Sequence, residues 1–406
     1  MRPSISATAN RRAAAALLLA LSAAPAHALL RFDESRNQVY VTGYVGVGYD
    51  SNVFTNDQPG NGDMIISGGA GMEFARKAGL IGVNASLGWD FGNFATFTEE
   101  NFLNPSMSLE FSKGTGRTTG AVQLNARRET RADPTVGLRT DSWNYGINLN
   151  YRYPIMERYS LAGNIGYAIT DYVDPGQTFV DLDTYTVGTD LFYSWRSDRD
   201  LLAGYRYRFS ETSVNSESVD HSWYVGVSGR ILSKLSGSAR VGWTYRENHF
   251  PGDTTLIDGV TPKTEDSSDG MYVSLSGTWP ATRKATYTLA LTQDFSSSST
   301  NFQTQTSSAD LTGQFSHTVK FSTRANLGVG YTQFLSGFAP DSPTYSEGFN
   351  GEDRNDHYFT CGVGANYTLT EHFTLSANYT FYQNWSNLSS YEFVRHSVGL
   401  TLSTRW

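Results

Sequence analysis

The stretch Tyr391-Glu-Phe-Val-Arg-His-Ser-Val-Gly-Leu-Thr-Leu-Ser-Thr-Arg-Trp406 decides the fold. Val394, His396, Val398, Leu400, Leu402, Thr404 and Trp406 share one parity, and Phe393, Arg395, Ser397, Gly399, Thr401, Ser403 and Arg405 share the other. Side chains alternate across a strand, so the segment presents one mostly apolar face and one mostly polar face. It finishes on an aromatic residue in mid-strand. A closed outer-membrane barrel accounts for this, because its last strand pairs with its first and an aromatic sits at the membrane interface. Val398, Leu400, Leu402 and Trp406 are therefore the expected closure residues, pairing near Val39–Tyr49.

The same alternation recurs from Val39 onwards. In Trp143–Tyr153, for example, Trp143, Tyr145, Ile147, Leu149, Tyr151 and Tyr153 alternate with Asn144, Asn148, Asn150 and Arg152. Aromatics cluster toward its ends and aliphatics hold the middle, as two interfacial belts around a hydrocarbon slab require. Such runs predict about eighteen strands, with cores at 38–50, 64–75, 80–91, 102–113, 118–130, 140–153, 159–171, 182–195, 200–212, 219–232, 236–248, 269–279, 284–296, 304–317, 320–334, 355–369, 372–384 and 391–406. Short connections such as Gly114-Thr-Gly-Arg117 alternate with longer, often acidic ones such as Ser51–Asp63, Phe250–Ser268 and Leu335–Arg354. An even count with this asymmetry implies an all-β transmembrane antiparallel barrel with both termini periplasmic. A solenoid or propeller would show a fixed repeat length, and these spacings are irregular. Residues 38–406 form the expected barrel, after a short periplasmic segment at 29–37. Nothing in the pattern announces a plug; only the Ser/Thr tract Ser296–Thr300 stands out.

Residues 1–28 read as a secretory signal peptide. Arg11 and Arg12 form its charged region, Ala13–Ala23 its apolar run, and Ala26-His27-Ala28 a cleavage site, with removal after Ala28. The apolar run is too short to span a bilayer of roughly 30 Å. The expected location is the outer membrane of a Gram-negative bacterium. Composition agrees: hydrophobic content is 39%, aromatics reach 14%, and there are 39 glycines. A barrel with a wet interior and aromatic girdles needs that mixture. Taking Arg2, Arg11 and Arg12 from the 31 basic residues leaves 28 against 39 acids, net −11, which argues against a nucleic-acid partner. Cys361 is the only cysteine, so no internal disulfide forms. It falls on the lipid-facing parity as a small apolar residue.

Gly43-Tyr-Val-Gly-Val-Gly-Tyr-Asp-Ser-Asn-Val-Phe54 resembles the opening of the beta-barrel porin-2 family. So do Gly204-Tyr-Arg-Tyr-Arg-Phe209, Gly226-Val-Ser-Gly-Arg-Ile-Leu-Ser-Lys-Leu235 and Ala239-Arg-Val-Gly-Trp-Thr-Tyr-Arg246. The resemblance covers most of the chain in layout and these pieces in wording. It implies an outer-membrane porin-like barrel, with members often associated with surface or exported polysaccharide, and it brings no catalytic residues.

Function would lie on the inward faces. Parity sends Arg206, Arg208, Arg230, Arg240 and Arg246 to the lumen on three consecutive strands, a basic patch on one wall. Guanidinium groups bind carboxylates and phosphates bidentately and stack on sugars or aromatics, so the patch would attract an anionic solute or acidic polysaccharide. Alternatively each arginine braces the wall against a lumenal acid such as Asp190, Glu211 or Glu247. Glu110, Asp294 and Asp310 are further inward acids. Asp50 and Asn52 sit at the strand-to-loop rim in a turn role.

An enzyme is the least favoured class. His221, His249, His317, His357, His372 and His396 are dispersed, and no H-E-x-x-H or G-x-S-x-G motif occurs. No catalytic residue, metal site or cofactor is expected; acidic loops such as Glu347–Asp356 match no EF-hand spacing. The leading expectation is passage of hydrophilic solutes or an exported polysaccharide, without chemistry. The rival is a closed anchor or adhesin that binds partners through acidic outer loops. Expected partners are outer-membrane lipid, lipopolysaccharide and the barrel assembly machinery.

Overall fold

Alternating β-branched and aromatic side chains build a single antiparallel sheet that closes on itself. The computed structural model describes residues 30–32, 37–76, 79–173, 179–249, 265–337 and 354–406. The signal-peptide expectation for 1–28 lies outside them, as do 250–264 and 338–353 of the expected acidic loops.

A short strand, β1 (Leu30–Phe32), precedes the barrel. The first half then runs β2 (Asn37–Asp50), β3 (Asp63–Arg76), β4 (Gly82–Phe94), β5 (Phe102–Lys113), β6 (Thr119–Asp133), β7 (Leu138–Pro154), β8 (Tyr159–Tyr172), β9 (Leu182–Arg196) and β10 (Arg199–Thr212). The second runs β11 (Glu217–Arg230), β12 (Ser236–His249), β13 (Glu265–Pro280), β14 (Ala285–Ser297), β15 (Phe302–Ser316), β16 (Phe321–Gly337), β17 (Asn355–Thr368), β18 (Phe373–Ser386) and β19 (Phe393–Arg405). Each of these strands pairs antiparallel with its neighbour in sequence, and β19 pairs with β2. The eighteen expected strands are thus found, each within a few residues of its expected place.

The closing seam matches the reading of the last strand. Val398 lies opposite Tyr49, Leu400 opposite Val47 and Leu402 opposite Val45. Beyond that ladder, Trp406 and Val41 exchange backbone hydrogen bonds of 2.9 and 3.1 Å, and the Trp406 ring stacks on His372 at 3.9 Å. β2 projects past this point. There β1 pairs with Asn37–Val39, covering an edge that would otherwise expose unpaired N–H and C=O groups.

The outer face is apolar, with Val47, Ile66, Ile147, Val187, Val225 and Leu327 exposed around the wall. Aromatics such as Tyr145, Tyr185, Trp223 and Trp243 ring one end, and Trp195, Trp279 and Tyr367 ring the other. Cys361, paired between Leu327 and Phe381, lies on this outer face as expected. The end carrying β1 and Trp406 has short turns; in one, Gly116 adopts φ 92°, a left-handed conformation that favours glycine. This is the turn end of the barrel, and its opposite is the loop end.

Among the described residues two seams break the ladder, both at the loop end. β5 pairs with β6 from Lys113 up to Ser106, and Phe102–Pro105 continue without β6. Pro105 has no N–H to donate, and the ladder stops one residue after it. β13 pairs with β14 from Pro280 up to Val273, while Glu265–Tyr272 stay paired only with β12. The seams lie almost opposite one another around the ring.

Candidate functional site: the filled mouth

Above the second seam the β14–β15 hairpin turns inward. Leu289 is exposed on the outer face, and Phe295 shares its parity, yet Phe295 is only 2% exposed. A Cβ added to Gly270, on the inner face of β13, would meet the Phe295 ring at 3.2 Å and Gln305 Nε2 closer still. The face that points outward lower down therefore lies against the inner wall here.

The lumen arginines hold it there. Cross-strand register sets Arg208, Asp220 and Arg246 in one row on β10, β11 and β12. Arg246 donates to both Asp220 oxygens at 2.5 and 2.9 Å, and Arg208 Nε donates to Asp220 Oδ2 at 2.6 Å. The remaining donors reach the hairpin. Arg206 grips Asp294 bidentately at 2.8 Å twice, Arg208 donates to the Phe295 carbonyl at 2.5 Å, and Arg246 reaches Gln303 Oε1 at 2.6 Å and the Ser296 carbonyl at 3.1 Å. Arg246 also stands over the Phe295 ring at 5.2 Å. Four strand spacings separate β10 from β14, about 19 Å along an unfolded wall. Arg206 and Asp294 meet only because the wall bends in. Hydrogen bonds to charged groups contribute about 1.5–3 kcal/mol each, so this latch offsets the lost β13–β14 ladder.

The hairpin tip crosses the mouth. Ser299 accepts from the Val180 backbone at 2.8 Å, Asn301 donates to Ser216 Oγ at 2.9 Å, and Ser299 Oγ reaches Asp133 at 3.4 Å. Asn301 takes φ 64°, which asparagine tolerates. The β6–β7 hairpin folds in to meet it. Thr130 and Arg139, both on the outward parity of their strands, contact Asn104 on β5 at 3.1 Å and Glu100 in the β4–β5 connection at 3.3 Å, across the seam. Arg139 also covers the Phe94 ring at 4.8 Å. Arg354, from the far side of the ring, donates to the Thr135 carbonyl at 2.6 Å and lies between Phe334 and Tyr391. Buried apolar residues gather here: Val53, Phe94, Val180, Phe295, Phe302, Phe334 and Phe393. The sequence pattern announces no plug, and none of separate origin is needed. Barrel wall itself fills the loop-end mouth.

The expected patch also needs correction. Arg206, Arg208 and Arg246 come together; Arg240 sits lower, paired with Asp190 at 3.1 Å. Arg230 does not join them, being half exposed at the turn end near Asp198. Of the expected braces, Asp190 serves, but Glu211 and Glu247 lie on outward parity beside Phe209 and Tyr245. Asp220 and Asp294 do their work instead. Asp50 exceeds its expected turn role: it accepts from the Asn52 backbone N–H at 3.0 Å and from Arg395 Nε at 2.9 Å.

Below the mouth the lumen stays open and polar. Ser86, Ser108, Asn148, Asn150 and Asn164 face it, and a cavity of about 420 Å³ beside Tyr40, Glu73, Glu110 and Arg405 opens at the turn end. Histidines sit elsewhere: His221 bonds Tyr205 and His396 bonds Tyr379 on the outer face. Among the described residues no group of three or more His, Cys, Asp or Glu could hold a metal ion.

No protein-family model matches the chain, and a search of curated proteins finds no relative. Solved structures with a similar course include the outer membrane channel DcaP of Acinetobacter baumannii, at 10% identity over 93% of this chain and 100% of that one, TM-score 0.41. OccAB2 of the same organism shows 11% identity over 91% and 98%, TM-score 0.46. The FrpB iron transporter from Neisseria meningitidis shows 10% identity over 87% of this chain, which spans 63% of that one, TM-score 0.46.

Proposed function

We propose an outer-membrane, porin-like channel for small hydrophilic solutes, without chemistry, with both termini on the periplasmic side. A closed barrel leaves no backbone edge for lipid along the pairing shared by all strands, and its apolar exterior with aromatic ends suits a bilayer. The observation that carries the channel reading is the solvent-facing polar lining that continues from the turn end up to the folded-in hairpins. An eighteen-stranded barrel is wide enough for an aqueous path. The porin-2 resemblance and its link to polysaccharide belong to the same reading, but a mouth packed with side chains favours small solutes over a polymer.

Selectivity follows from which charges are free. Arg206, Arg208, Arg240 and Arg246 are held by aspartates, whereas Glu110, Asp310 and Arg324 face the open lumen without an ion pair among the described residues, two acids against one base. Neutral and cationic solutes are thereby favoured over the anions expected from the arginine count. Reversal potentials in planar bilayers test this. Glu110→Gln with Asp310→Asn should shift preference away from cations, and an anion-selective wild type would sink it.

The filled mouth also supports a second reading, a closed anchor barrel. Purified protein that never conducts, including variants with the Arg246 contacts removed, would favour that anchor.

A further inference from the structure

We propose that the turn-end rim is a collar that binds anionic phospholipid headgroups, densest over β5–β10, and gathers them from the leaflet on the periplasmic side. The inference rests on the reading above of a membrane-spanning barrel with both termini periplasmic.

The charge is segregated. The chain carries a formal net charge of −8, yet its turns at this end bear Arg117, Arg158, Lys234, Arg283, Lys284 and Lys320 against Glu157, Asp198 and Glu371. Over β5–β10, Lys113, Arg117, Arg158 and Arg196 are all exposed and enter no ion pair among the described residues. Of the acids in these turns, Asp198 is shared at 3.8 Å by Arg199 and Arg230, and Glu157 alone opposes the four. Successive turns stand two strand spacings apart, about 10 Å, so a separate headgroup can reach each.

The bases sit on the lipid-facing belt and not on the lumen. Arg117 stands over the Tyr153 ring at 4.8 Å and Arg196 over the Trp195 ring at 5.3 Å. Those rings belong to the outer face, as do Tyr159 and Tyr193, whose rings meet at 5.2 Å. Aromatics at that place hold the boundary between hydrocarbon and headgroups.

Depth fits as well. The turn 155–158 rises at most two residues past the strand ends, about 7 Å. A headgroup layer is about 5–8 Å deep on each side of the hydrocarbon. Exposed Ile155 and Met156 thus stand near the acyl boundary while Arg158 reaches phosphates, the division that amphipathic interfacial segments make. An exposed aliphatic beside a base recurs at Leu232 with Lys234 and at Val319 with Lys320. A protein partner needs one patch; a motif repeated around the circumference suits lipid.

Native mass spectrometry tests the collar. Detergent-solubilised protein is given equal amounts of dioleoylphosphatidylglycerol and dioleoylphosphatidylcholine, and the lipids that stay bound are counted. Phosphatidylglycerol should be retained about fivefold over phosphatidylcholine, the factor that one engaged base supplies, and the preference should shrink in high salt. Lys113→Gln with Arg117→Gln, Arg158→Gln and Arg196→Gln should cut it by about half or more, whereas Arg117→Lys with Arg158→Lys and Arg196→Lys should keep it. Equal retention of the two lipids by the wild type overturns the collar and leaves the rim charge to an acidic protein. A preference that the glutamine variant keeps in full, or that the lysine variant loses, overturns it too. Reconstitution separates the collar from the reading it rests on. Protein that enters vesicles of neither lipid overturns the membrane barrel and the collar together; protein that enters both and shows no preference overturns the collar alone.

Discussion

Two ion pairs of the same chemistry mark the two ends of this barrel. Arg246–Asp220, in the mouth, leaves each side chain 1% exposed; Arg405–Glu73, at the turn end, leaves them 57% and 42% exposed. Both pairs lie on inward parity and both join residues that strand pairing brings near. What separates them is whether the next stretch of wall stays in its ladder. At the turn end every strand keeps both neighbours, so inward side chains meet water. At the loop end two seams open, the freed hairpins turn in, and the same parity meets protein. A face is therefore inside or outside only relative to the neighbour that remains paired.

The largest effect should come from removing the shared carboxylate. Asp220→Ala strands Arg208 and Arg246 in a buried site, and breaking such a pair costs about 3–5 kcal/mol. Glu73→Ala at the turn end should cost little. Unfolding in denaturant, followed by tryptophan fluorescence in detergent micelles, measures both. Equal effects would mean that the mouth is as wet as the vestibule.

Phe295 and Leu289 allow the comparison along one strand. They share a parity, but Phe295 is 2% exposed on the inner wall and Leu289 is 38% exposed on the outer face. Phe295→Ala should cost about 3 kcal/mol, the low end for a buried phenylalanine because Gln305 is placed to fill part of the space. Leu289→Ala should cost much less in the same assay. A reversal of that order would place Phe295 in the outer wall in solution.

The β5–β6 seam is held by fewer charged contacts. Arg139 is 7% exposed and meets Glu100 at 3.3 Å and the Phe94 ring. Arg139→Ala should cost about 1–2 kcal/mol, less than Asp220→Ala, since one ion pair and one cation–π contact are lost. A cost as large as that of Asp220→Ala would make the seams equivalent.

Much of this was legible in the residues. Period-two alternation located all eighteen strands, and the parity of Val398, Leu400 and Leu402 predicted that the last strand closes against Val39–Tyr49. The infolding was not, because alternation assigns two faces and is silent on which neighbour a strand abandons. The Arg206–Asp294 contact spans 88 positions, so no local spacing betrays it. Signals were nevertheless present. Arg128, Arg139 and Asp141 stand on the lipid-facing parity of β6 and β7, a costly place for charge unless those segments leave the wall. Pro105 interrupts a strand at the seam, and Phe295 precedes the Ser/Thr tract that forms the hairpin tip. Arg230 was misplaced for the opposite reason: its parity is right, but it lies at the strand's last residue, where side chains reach the turn rather than the lumen.

The smallest effect is the one that isolates environment from chemistry. A double-mutant cycle on Arg405 and Glu73, with each replaced by Ala singly and together, removes the 2.8 Å contact at the turn end. Exposed pairs gain little because water screens them and two long side chains lose freedom, so the coupling should fall below about 1 kcal/mol and shrink further in high salt. Arg405 also lies over the Tyr40 ring at 4.0 Å, so Arg405→Ala alone should cost slightly more than Glu73→Ala. A coupling as large as the Asp220 penalty would require the turn end to exclude water, and the contrast between the two interiors would then disappear.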